Sequence, residues 1–179
     1  LLHAVREVND DTSVRVVVLT GVGRSFSAGA DLGDMPADKT HFRVEDQLNG
    51  EYKPMLMEIF AAPKPWISAI NGACAGIGSA FGMVCDLTVM AEDAYIYQAF
   101  AAIGLVPDGG ASWHLVRTLG RKRAYEVIVT GEKIRADKGE KSPEYCRMVR
   151  GFLSPDGESH AIYSGAEITP TNSQAKVKA

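Results

Sequence analysis

The chain predicts an α/β fold. Three short runs, residues 14–20 (VRVVVLT), 66–70 (WISAI) and 86–91 (DLTVMA), are aliphatic and largely β-branched, with the length of buried strands. Between them, residues 52–62 and 76–84 carry apolar side chains at helical spacing. Gly, Pro and polar clusters punctuate this alternation, and alternating strands and helices assemble as α/β layers.

Taken in order, residues 1–9 (LLHAVREVN) have helical spacing and run into a polar turn over 10–13. Residues 14–20 are nearly continuously apolar, which suits a strand buried on both faces. A turn over 21–25 leads to residues 26–30 (FSAGA), a short strand or extended edge. Residues 31–50 are polar and read as a surface loop or frayed helix. The helix over 52–62 ends at Pro63 and Pro65. After the 66–70 strand, residues 76–84 form an apolar, small-residue helix able to pack close to a neighbour. Residues 86–91 are the third strand and 95–100 a further short one. Two helices, 112–119 and 121–129, are parted by Gly120.

Beyond Asp137 aliphatic residues thin out and no period is sustained. Residues 1–137 therefore read as the folded core, and 138–179 as a divergent tail, poorly ordered or not native.

At 179 residues the chain can bury one core, and its 46% hydrophobic and 23% charged content is ordinary for a globular protein. A net charge of −3 argues against nucleic acid or an anionic membrane as the main partner. Cys74, Cys85 and Cys146 have no metal-ligand spacing, and their odd number argues for reduced thiols in a cytoplasmic compartment. No apolar run reaches the ~18–20 residues of a membrane span. No targeting signal opens the chain, which starts inside a helical pattern, so a leader or first strands are expected upstream.

Chemistry concentrates in two stretches, Phe26-Ser27-Ala28-Gly29-Ala30-Asp31-Leu32 and Asn71-Gly72-Ala73-Cys74-Ala75-Gly76-Ile77-Gly78. Each places small residues where a strand has just ended, so bare backbone N–H groups can face a ligand. Two such groups converging on one oxygen make an oxyanion hole. The N–H of Ile77 lies at a helix start, where unpaired donors and the helix dipole favour negative charge. Tight turns and close helix packing would call for the same small residues. Dinucleotide binding fits poorly, because Gly76, Gly78 and Gly82 do not have the fingerprint spacing.

Together the two stretches resemble the crotonase family, the enoyl-CoA hydratases and isomerases, over residues 5–137. The resemblance implies a spiral of ββα units assembled as a homotrimer or hexamer, here truncated at the N-terminus and atypical at the C-terminus. It implies an acyl-CoA thioester as substrate, with no further cofactor and no metal. The N–H groups of Ala30 and Ile77 take the oxyanion positions. Ala28, Asp31, Leu32, Gly76, Phe100 and Trp113 fall among the substrate contacts.

Hydratases of this family use two glutamates, because hydration needs a base for water and an acid for carbon. Here those positions hold Ala80 and Phe100, and neither moves a proton. Asp108, in Leu105-Val106-Pro107-Asp108-Gly109-Gly110, matches instead the aspartate of the dienoyl-CoA and ring-epoxide isomerases. One base suffices for an isomerase, and Leu105, Val106, Phe100 and Trp113 are expected to raise its pKa by desolvation. Pro107-Asp108-Gly109-Gly110 also suits a turn that caps the following helix. The expected function is an acyl-CoA isomerase, shifting a double bond or rearranging a ring epoxide. The alternatives are a non-catalytic acyl-CoA-binding relative and another crotonase reaction.

His114 reads as a helix-surface residue, Cys85 as core, and Lys133 and Arg135 as solvated charge. Ser79 has no histidine partner and is not expected to be a nucleophile.

Overall fold

A computed structural model describes residues 1–31 and 43–136 in full, with the backbone of residues 167–168 and 175–178. Helix α1 (Leu2–Asp10) precedes β1 (Val17–Gly21) and β2 (Ser25–Ser27). Helix α2 (Val44–Gln47) runs through one π-helical turn, Leu48–Tyr52, into α3 (Lys53–Phe60). Then come β3 (Trp66–Ile70), β4 (Ala73–Ala75), α4 (Ile77–Val84), β5 (Leu87–Met90) and β6 (Tyr95–Tyr97). A short 3-10 turn, Ala101–Ile103, leads to α5 (Ala111–Thr130), which is followed by β7 (Ile134–Arg135), β8 (Glu167–Ile168) and β9 (Ala175–Lys178).

Each turn of chain repeats one path. Strands β1, β3 and β5 lie side by side, in parallel, in one sheet, while β2, β4 and β6 do the same in a second. A helical segment then carries the chain back to start the next turn, so successive turns stack at the ~4.8 Å spacing of adjacent strands. This is the spiral of ββα units that the resemblance implies. Strand β7 closes the second sheet antiparallel to β6, and β9 pairs antiparallel with β1.

Asn71 joins one turn to the previous one. Its amide donates to the carbonyls of Gly21 at 3.1 Å and Gly23 at 2.8 Å, and accepts from the Gly21 N–H at 3.3 Å. Between the sheets and helices, Val5, Val17, Trp66, Ile70, Ile96 and Leu115 are at most 1% exposed. The buried indole of Trp66 is satisfied by Asn9 Oδ1 at 3.0 Å.

Several sequence expectations are corrected. The first strand starts at Val17, not residue 14, and its side chains alternate between buried and partly buried rather than being buried on both faces. Strand β2 covers Ser25–Ser27 instead of 26–30, and the strand expected over 95–100 ends at Tyr97. Strands β4 and β7 were not anticipated: three and two residues are too short to show a period. The break at Gly120 is present, its backbone at φ 73 and ψ 160 interrupting α5. Leu32, and the tail apart from β8 and β9, lie outside the described residues.

Candidate active site

The two small-residue stretches meet. A Cβ placed on Gly76 would lie 3.7 Å from the Cα of Gly29, and one on Gly29 would come 3.2 Å from the Ala75 carbonyl oxygen. Such backbone-to-backbone approach leaves no room for side chains. Gly76 also takes φ 54, ψ −134, a conformation other residues rarely adopt, and this turns the chain sharply from β4 into α4. Ile77 is the first residue of α4, so its N–H has no intrahelical acceptor. Among the described residues neither the Ala30 nor the Ile77 N–H has a hydrogen-bond acceptor. Two bare donors thus flank the contact between Gly29 and Gly76.

Asp108 is carried close to Ile77, the residue after Gly76. A Cβ on its neighbour Gly109, at φ 56, would meet Ile77 Cδ1 at 2.5 Å, Ala80 Cβ at 2.8 Å and Leu56 Cδ1 at 3.3 Å. The segment carrying Asp108 is therefore pressed onto the first turn of α4. The Asp108 carbonyl accepts from the Ala111 N–H at 2.9 Å, so the turn does lead into α5 as expected. Its side chain does not cap that helix, and Oδ1 is buried without a partner. Burial pushes the carboxyl above the usual carboxylate range.

Of the four residues expected to desolvate it, Val106 is 81% and Leu105 51% exposed, while the adjoining Gly109 packs on the α4 side. Ala80 is 0% and Phe100 6% exposed, and both belong to the buried interior.

A cavity of about 430 Å³ opens next to Gly109 and Gly110. One wall is helical, with Leu48, Tyr52, Leu56 and Phe60 on one ridge and Asn49, Lys53 and Met57 on the next. Val84, Trp113 and His114 complete it. Trp113, expected among the substrate contacts, lines this space, with its ring edge-on to Phe60 at 5.8 Å and under the Arg117 guanidinium at 3.6 Å. Phe100 is not among the lining residues. Ala28 and Asp31 are exposed on the loop after β2.

His114 is half-buried in the cavity wall rather than on the outer helix surface. Burial, and then the Arg117 charge, hold its imidazole below the usual histidine pKa. Tyr52 was missed by the sequence reading. Burial raises its phenol, as do the carboxylates of Glu51, Asp108 and Asp31, which places the ring in the field of the site. The i, i+4 series Leu48, Tyr52, Leu56, Phe60 was the available signal, hidden because its first member fell in a segment read as loop or frayed helix.

The remaining candidates have structural partners. Ser79 Oγ donates to the Gly76 carbonyl at 2.6 Å and accepts from Gln98 Nε2 at 2.9 Å, which fits no nucleophile. Cys85 is buried, its thiol pushed up to about 12 by burial. Lys133 Nζ lies 4.0 Å over the Tyr95 ring and the Arg135 guanidinium 5.7 Å from it. Among the described residues no cluster of metal-ligating side chains occurs, and no helix is long and apolar enough to cross a membrane.

Comparison with known proteins adds four findings. The family model described as enoyl-CoA hydratase/isomerase matches residues 1–142. A probable enoyl-CoA hydratase of Rhodobacter capsulatus is 42% identical over 124 residues, 69% of this chain and 48% of its own. The 1,2-epoxyphenylacetyl-CoA isomerase of Escherichia coli is 35% identical over 140 residues, 77% of this chain and 53% of its own. The crystal structure of an enoyl-CoA hydratase from Polaromonas sp. JS666 superposes with a TM-score of 0.72 at 33% identity, covering 83% of this chain and 57% of that one. The chain spans about half the length of the curated relatives it matches.

Proposed function

The chain belongs to the enoyl-CoA hydratase/isomerase family, and on that premise we propose that it isomerises an acyl-CoA thioester, with Asp108 as its single proton carrier. The N–H groups of Ala30 and Ile77 hold the thioester oxygen, and the acyl group enters the cavity between α3 and α5. The Asp108 carboxylate takes a proton from C2 of a 3-enoyl ester, leaving a dienolate whose negative oxygen the two donors stabilise. The same carboxyl returns the proton at C4, and the double bond moves into conjugation. Each aligned donor contributes roughly 3 kcal/mol to such a transition state. A ring-epoxide ester suits the same groups.

The observation that carries this reading is the buried, unpartnered Oδ1 of Asp108 next to the first turn of α4. Ala80 and Phe100 supply no second carboxylate, which favours a one-base isomerisation over hydration. One proton changes place and no electrons leave the substrate, so the step calls for no cofactor. Exposed Ile103, Leu105 and Val106 support the homotrimer or hexamer, which sedimentation would measure, and the free buried thiols suit the cytoplasm.

The test is conversion of a 3-enoyl-CoA to its 2-enoyl isomer by wild type and Asp108→Asn. Turnover that falls by at least about a hundredfold in the variant supports the proposal. Turnover that survives removes Asp108 from the chemistry. Binding of the ester without turnover by wild type points to an acyl-CoA-binding protein.

A further inference from the structure

Gly76 and Ile77 share one planar peptide, so the Gly76 carbonyl and the Ile77 N–H point in opposite directions. Whatever fixes the carbonyl therefore aims the donor. The Gly76 oxygen accepts from the Ser79 N–H at 2.9 Å and from Ser79 Oγ at 2.6 Å. Ser79 Oγ accepts in turn from Gln98 Nε2 at 2.9 Å. The direction of this chain is fixed, because the serine has one proton and gives it to the carbonyl, leaving the amide nitrogen as donor. On the other side, the Gly76 N–H donates to the Tyr97 carbonyl at 3.1 Å. The end of β6 and the residue after it thus hold Gly76 on both sides, its N–H in the preceding peptide by backbone and its carbonyl, through Ser79, by the Gln98 side chain.

Packing alone does not account for this arrangement. Ser79 and Gln98 are both 0% exposed, and Gln98 Oε1 is buried with no partner. An apolar residue of similar volume would fill the space without that unsatisfied oxygen. We propose that Gln98 and Ser79 are positioning residues, a relay that orients the Ile77 N–H toward the thioester oxygen. The proposal rests on the acyl-CoA reading of the site.

The test uses the full chain and an arylacryloyl-CoA, a conjugated thioester whose absorption band moves to longer wavelength when its carbonyl is polarised. Wild type is expected to shift the band. Ser79→Ala and Gln98→Leu are each expected to lose most of the shift and about tenfold in kcat, with KM unchanged. Because the two act in series, the double variant should lose no more than either single one. An undiminished shift in both single variants, or losses that multiply in the double, overturns the relay. If Ser79→Ala does not fold, Gln98→Leu, which keeps the volume, decides by its shift and its KM-against-kcat split.

Asp108→Asn separates this relay from the proposed reaction, since it should end turnover and leave the shift intact. A wild type that shifts the probe but isomerises nothing removes the isomerase reading, and the variants' spectra still decide the relay. A wild type that fails to bind or shift the probe refutes both.

Discussion

At the scale of the residue, Asp108 sets a conflict between stability and chemistry. Burial raises its folded pKa, so the folded state holds the proton more tightly than the unfolded one. Its contribution to stability is therefore fully present at acid pH. It is lost as the pH climbs from the ordinary carboxylate range through the raised value. Asp108→Asn removes the desolvated charge, and at pH 7 it should raise the thermal midpoint while activity disappears. Near pH 3 the two melting curves should coincide, and a midpoint that fell at pH 7 would contradict the linkage. The rate should rise with pH through the same raised pKa, because only the carboxylate accepts the proton. His114, in the neighbouring wall, moves no proton in the proposed step, and the raised pKa of Tyr52 keeps its phenol on the alkaline side, so neither should set the acid limb. His114→Gln is expected to leave that limb in place in the pH profile. In the cavity, Trp113→Ala should raise KM severalfold with little change in kcat, the pattern of a lost contact common to ground and transition states.

At the scale of the element, what could be read in the sequence depended on length and on which partners supplied burial. Strand β3 and helix α4 were legible within a residue because their apolar runs are continuous and bounded by Pro, Gly and polar residues. Strands β4 and β7 were not, since their three and two residues owe their extension to neighbouring strands. The oxyanion stretches were visible as small residues after strands, but their mutual contact is a property of the turns that stack them. The cavity wall was the least legible part: the i, i+4 ridge crosses the π-helical turn, and its polar flank resembles a loop. Asn71 shows how one side chain connects elements. Asn71→Ala loses its bonds to Gly21 and Gly23 and leaves the turn groups unpaired, so unfolding free energy should fall by about 1–3 kcal/mol in denaturant titration.

At the scale of the molecule, the family's spiral is present, with each sheet built from the corresponding strands of successive turns. The proposed site lies where backbone from one turn touches backbone from the next, and the segment carrying Asp108 packs onto Ile77 from the turn after that. The stacking has a consequence for how the chain finds its structure. Joining β5 to β3 closes a span of 20 residues, as between Trp66 and Asp86, whereas joining β1 to β3 closes one of 49, as between Thr20 and Ala69. The longer closure costs roughly 0.8 kcal/mol more in chain entropy, so the inner pair should nucleate and the outer one add later. Ser68 and Thr88, hydrogen-bonded at 2.9 Å across the inner pair, would then be formed in the folding transition state, and Leu19 would not. In stopped-flow experiments Ser68→Ala should chiefly slow refolding, and Leu19→Ala should chiefly hasten unfolding. Two halves of the proposed oxyanion hole would then come together only in the last stage of folding, when the segment after β2 docks its Ala30 donor onto an Ile77 donor already in place.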